Sequence, residues 1–195
     1  MLQAVESKPG AWPRVCPEDV RELMPDIDQV AEEMIDAIQC GVPEYARPLD
    51  HTYRASVRHA VTHAVQEFVD RLIDPGAPHD RATQVFRNIG RNEASEEHSL
   101  EPLQNALRLS AQMAWHRLGQ RTARGAMDSN VLAPIDEAIF LYLDELADAC
   151  SRGYAEATAE VAGEMERRRR RLLDLIVVDP PASHDAIADL AQAAR

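Results

Sequence analysis

From Asn130 to Val178 the chain has no proline beyond its first turn, and its apolar residues recur every three or four positions: Ile135, Ile139, Leu143, Leu146, Cys150, Tyr154, Ala157, Val161, Met165, Leu172 and Ile176. That spacing lays a single apolar stripe along a helix. Asn130 is placed to cap it, Pro134 lies near its first helical position, and Asp136 and Glu137 put negative charge where the helix dipole favours it. At about 1.5 Å per residue such a helix is roughly 70 Å long, more than twice the span of a 20-residue helix. The excess stripe needs cover from outside the chain's own core, from a second copy or a following domain. Gly153 and Gly163 are the positions at which the helix would bend or divide instead.

The preceding residues also read as helices. Residues 1–16, with Pro9, Gly10 and Pro13 and no periodicity, are expected to be a flexible tail. After Pro17, a stripe of Val20, Leu23, Ile27, Val30, Met34, Ile35 and Ile38 runs to Gly41 and Pro43, and Pro25 marks a kink or a division into two helices. Thr52 to Ile73 carries Val57, Val61, Val65, Phe68 and Leu72 and stops at Asp74-Pro75-Gly76. A helix from Asp80 to Glu96 carries Val85, Phe86 and Ile89. Ser99 caps the next, which tolerates Pro102 in its first turn, aligns Leu103, Leu107, Ser110, Ala114 and Leu118, and closes at Gly125. No stretch alternates with period two and no repeat is present, so the fold class is all-α. Residues 17–178 read as one helical domain. The Asp179-Pro180-Pro181-Ala182-Ser183 segment reads as a linker and Ser183 as the cap of a short Ala-rich helix, so 179–195 is expected to lead toward a further region.

Charge and composition narrow the function. With 21 Lys and Arg against 33 Asp and Glu, a net charge of -12 and a pI near 5.0, the chain lacks the basic surface that phosphates require. Cys16, Cys40 and Cys150 are too widely spaced for a disulfide framework or a zinc site, which fits a reducing cytoplasm. The N-terminus has no signal-peptide core, and Leu172–Val178 is too short to span a bilayer. A Gly-x-Ser-x-Gly elbow is missing and the eight glycines are scattered singly, so neither nucleophilic catalysis nor a phosphate loop is indicated, and the chain reads as a non-enzyme. Arg167 to Arg171 circles the whole helix behind Glu164 and Glu166, as the solvated surface of an exit helix would. His59 and His63 stand at i, i+4, but on the face holding Gln66 and Asp70, opposite the valine stripe, so they read as a solvated pair rather than metal ligands. His98, in a polar turn beside Glu96 and Glu97, and His116, beside Trp115, give no reason to expect haem, and no cofactor is called for.

A polar feature interrupts the apolar faces. Phe86, Ile89, Gly90 and Glu93 share one helix face, and Gln104, Arg108, Ala111 and Trp115 share a face of the following helix. If the two faces meet, Glu93 and Arg108 pair, either to fix helix register or at the rim of a ligand pocket. Trp115 is expected in the core. The candidate pocket residues are Phe86, Glu93, Arg108, Trp115 and Tyr142, and the candidate dimer contacts are Tyr154, Val161, Met165, Leu172 and Ile176.

The stretches Phe86 to Ala94, Ser99 to Arg108, Ala114-Trp115 and Gly163 to Leu175 resemble the N-terminal domain of actinobacterial PucR-type transcriptional regulators. That domain is similar to the N-terminal domain of RsbR-type stress-signalling proteins. The resemblance implies a haem-free, globin-like helical bundle that dimerises and senses a signal ahead of a DNA-binding region that this chain does not contain. It also implies a small-molecule effector and no direct contact of this chain with nucleic acid or membrane. A stand-alone ligand- or haem-binding globin-like protein, or a stress-signalling scaffold, is the alternative.

Overall fold

A computed structural model describes residues 12, 15, 17–23, 27–45, 51–76, 78, 80–123 and 129–177. The described residues form six α-helices and no strand: α1 (Pro17–Leu23), α2 (Ile27–Gly41), α3 (His51–Ile73), α4 (Asp80–Ser95), α5 (Glu101–Ala123) and α6 (Ser129–Val177). A short 3-10 turn, Pro43–Tyr45, follows α2. The all-α reading and the very long last helix hold. Helices α1 and α2 are separate, on either side of residues 24–26, which lie outside the described residues, as do Cys16, Gly125 and 178–195.

The long helix organises the packing. Its inner stripe, Ile135, Ala138, Ile139, Tyr142, Leu146, Ala149 and Cys150, is buried with Phe68 and Leu72 of α3, Ala82 and Phe86 of α4, and Leu103, Leu107 and Leu118 of α5. Helix α4 lies against α6, and α5 against α2 and α6. The α4/α6 crossing brings backbones together. A Cβ added to Gly90 would stand 2.0 Å from the Cys150 carbonyl oxygen, and one on Gly153 would stand 1.9 Å from that of Arg87. Glycine is required at both positions because nothing larger fits between the helices. The helix does not divide at Gly153 or Gly163; Gly153 is instead half of this contact.

Ion pairs flank the crossing. Arg87 Nε donates to Glu156 Oε2 at 3.0 Å and its Nη2 pairs with Oε1; Arg91 reaches Glu156 at 3.5 Å and Glu160 at 2.8 Å. These groups are well exposed and screened by solvent, so the pairs chiefly set the register.

Both ends of α4 are tied down. At its start the buried Glu67 carboxylate accepts the Ala82 N–H at 2.9 Å, satisfying a donor that the helix cannot. At its end Glu97 adopts φ 57°, Glu97 N–H bonds the Ala94 carbonyl at 3.2 Å, and His98 N–H bonds the Glu93 carbonyl at 2.9 Å. This is a Schellman turn with Glu where glycine is usual.

Two expectations differ from the structure. The first concerns two residues of the N-terminal tail: Trp12 and Val15 belong to the core, 6% and 7% exposed, while 1–11, 13, 14 and 16 lie outside the described residues. The Trp12 ring lies 5.6 Å from Phe68 and 5.8 Å from Tyr142, the Arg71 guanidinium stacks on it at 3.7 Å, and Val15 N–H bonds the Leu72 carbonyl at 3.1 Å. The apolar surface of the indole decides its place, even though a proline follows it and no periodicity marks it. The second is Trp115, which is 48% exposed. Leu103, Ala106, Leu107 and Leu118 face inward, whereas Gln104, Arg108, Gln112, Trp115 and Gly119 form the outer face. Trp115 sits about 100° from Ala114 around the helix, enough to turn it from core to solvent.

Beyond Ala157 no described residue of α6 is buried. Val161 and Leu173 are 63% and 59% exposed, and Tyr154, Met165 and Leu172 are partly covered; the Ile176 side chain is outside the described residues. Glu164 with Arg168, and Glu166 with Arg170, form i,i+4 pairs along this projecting part. No helix among the described residues is long and apolar enough to cross a membrane.

Candidate functional site

Two adjoining cavities occupy the interior. The first, about 110 Å³, lies among Val30 and Met34 of α2, Val65, Phe68 and Leu72 of α3, Leu107 and Leu118 of α5, and Ile135, Ile139, Leu143 and Leu146 of α6. Its polar neighbours are engaged elsewhere. Ser110 donates to the Ala106 carbonyl at 2.9 Å, and Arg117 pairs with Glu33 at 2.7 Å. Tyr142 faces Glu67 Oε1 at 3.5 Å, the outer limit of a hydrogen bond, and burial raises its pKa, so it stays a neutral phenol. The second cavity, about 220 Å³, lies between α2, α3, α4 and α5, with Ile35, Ile38, Val57, Ala60, Ile89, Leu103 and Ala106 as apolar walls and Gln39, Ser56, Asn92, Glu93 and Glu96 as polar ones. Val61, Phe86, Leu107 and Ser110 border both, so a turn of the Phe86 ring would join them. An apolar cavity of about 150 Å³ already holds a benzene-sized molecule. Together the two approach the ~300–1,000 Å³ usual for ligand sites.

Of the expected pocket residues, Phe86 stands between the cavities, Tyr142 walls the first and Glu93 lines the second. Arg108 and Trp115 line neither, because both sit on the outer face of α5. Glu93 does not pair with Arg108: α4 presents its glycine face to α6, and the Glu93 carboxylate meets His98 Nδ1 at 3.1 Å through the turn that closes α4. Burial raises the Glu93 pKa above its usual value, partly offset by His98.

The cluster of Trp12, Arg71 and Glu145 was not expected. Arg71 is 4% exposed, and its Nη1 donates to Glu145 Oε2 at 2.6 Å while the guanidinium covers Trp12. Glu67 and Arg71 at i, i+4 on the inner face of α3 were the signal, because buried charges there require partners. His59 and His63 contact each other with ring centroids 4.1 Å apart; His59 is exposed, and the His63 pKa is lowered by burial and then by His59 and Arg81. No group of three or more His, Cys, Asp or Glu side chains among the described residues is arranged to share a metal. Cys150, buried at the crossing, has its thiol pKa pushed up to about 12, which makes it inert as a nucleophile.

A family model, the PucR-like N-terminal domain, matches residues 12–177. The chain belongs to this family. The match begins at Trp12, the residue that anchors the N-terminal segment, and ends where α6 ends. No curated protein and no solved structure matches the chain. The PucR-like N-terminal domain is a domain of regulators, a family non-enzymatic in general.

Proposed function

We propose that the chain is the sensory and homodimerisation domain of a transcriptional regulator, which takes up a small effector with a largely apolar body and passes its presence along α6 to a downstream DNA-binding region. One observation carries this reading: the helix that walls the first cavity through Ile135, Ile139, Leu143 and Leu146 is the same helix that projects beyond the body. An occupant pressing on that wall displaces a rigid rod, and the shift reaches its far end. A second copy of the chain covers the stripe at Val161, Met165 and Leu172, and the same reading takes the bundle as globin-like, in the manner of the RsbR-type domain. The test is calorimetric titration with toluene, beside sedimentation velocity of the chain with and without a cut after Glu160, which leaves the α4/α6 crossing whole. Saturable binding to a dimeric parent and a monomeric truncated chain are expected. A monomeric parent, or no binding of toluene at millimolar concentration, would overturn the corresponding half.

A further inference from the structure

The second cavity differs from the first in chemistry. Its walls are mainly apolar, yet among the described lining residues they carry two carboxylates, Glu93 and the well-exposed Glu96, and no Lys, Arg or His; both carboxylates face the imidazole of His98, at 3.1 and 3.4 Å. The Glu93 side chain is only 14% exposed, its Oε2 is held by the exposed imidazole of His98, and its Oε1 has no partner among the described residues. A carboxylate in an apolar wall calls for a counter-charge or a hydrogen-bond donor, and what it has is one bond from a surface group. An anionic molecule would meet two carboxylates that share one imidazole, and a neutral donor would give Glu93 a hydrogen bond but no counter-charge. A cation gains most from the site.

We propose that this cavity binds a small organic cation, an amine or amidine on an apolar body, whose charged head meets Glu93 while the body fills the space between Val57, Ala60, Phe86 and Leu103. Scaled from the benzene that fills about 150 Å³, the ligand has roughly nine or ten non-hydrogen atoms. The inference rests on the effector reading above and names the class of effector. His98 is the group that the ligand replaces or joins, and the Schellman turn holds it there. Phe86, common to both cavities, places the cation beside the chamber that α6 walls.

The test compares three probes of one shape, phenethylamine, 2-phenylethanol and 3-phenylpropanoate, by calorimetry on the full chain. The amine is expected to bind at least tenfold more tightly than the alcohol, and the carboxylate most weakly. Glu93→Gln, with folding checked by circular dichroism, should bring the amine to the level of the alcohol while leaving the alcohol within twofold. His98→Ala, a change at an exposed position, should strengthen amine binding, and Glu160→Gln on the projecting helix should change nothing. Equal binding of amine and alcohol to the parent, or an amine preference that survives Glu93→Gln, overturns the proposal. Toluene binding without an amine preference would leave the effector reading standing and sink this one; a lack of binding by any probe would sink both.

Discussion

Replacing Gly153 by alanine would test the α4/α6 crossing on which the architecture depends. In an ordinary helix interior the change stabilises by about 1 kcal/mol, because alanine loses less backbone entropy than glycine. Here the new Cβ would lie 1.9 Å from the Arg87 carbonyl oxygen, where a Cβ keeps at least 3.0 Å from other heavy atoms. The helices would have to part by roughly 1 Å, a gap that forfeits a quarter to a half of each contact's attraction. Overpacking against movable side chains costs about 1–3 kcal/mol, and a carbonyl fixed in a helix places this case at the upper end. After the propensity gain, the net loss is about 2 kcal/mol, or roughly 4–8 °C in Tm for a domain of this size. Urea denaturation followed by circular dichroism would measure it, with Gly119→Ala as the control. No atom lies within 4 Å of a Cβ at Gly119, so that variant should gain about 1 kcal/mol. A Gly153→Ala protein as stable as its parent would show that the helices do not touch there.

The two tryptophans should behave oppositely. Trp12→Ala should cost about 3 kcal/mol, the low end for a core aromatic because its buried Nε1 has no acceptor among the described residues, whereas Trp115→Ala should stay within about 0.5 kcal/mol; urea titration checks both, and equal losses would contradict the packing. Glu97→Gly should add about 1 kcal/mol by relieving the left-handed backbone, and no change in the urea midpoint would refute the turn geometry. Glu93 has a raised folded-state pKa, so the folded chain binds its proton more tightly than the unfolded chain, and its contribution is present at low pH and lost as pH rises from about 4.5 through the raised value. The stability of Glu93→Gln relative to the parent should therefore increase from pH 4 to pH 7, and a difference that is flat or falls would show that Glu93 is not desolvated.

Helix boundaries were legible because periodic stripes, prolines and glycines mark them: α3 and α4 begin and end within a residue or so of their expected limits, and α6 spans Ser129–Val177 where Asn130 to Val178 was expected. Helix pairing was less legible. Gly90 was recognisable as a point of close approach, but nothing local says that its partner is Cys150 on α6, sixty residues along, rather than the neighbouring α5. That choice decides whether Glu93 and Arg108 meet. The angular position of Trp115 on α5 outweighs its size and turns it outward, and Trp12 is an anchor in a segment that has no periodicity to mark one. Of the cavity walls, Phe86 and Glu93 share a helix face that the sequence shows, while the cavities themselves arise from packing among six helices, which no single stretch encodes.

The most direct test of the sensory reading is methyl-resolved NMR of the chain titrated with toluene. If the interior binds an effector and α6 carries the response, saturable shifts should appear at Leu107, Leu118, Ile135, Ile139 and Leu143, and at Val161 and Leu172 with the same dissociation constant. Shifts confined to exposed methyls, or interior shifts that leave Val161 and Leu172 unmoved, would contradict it.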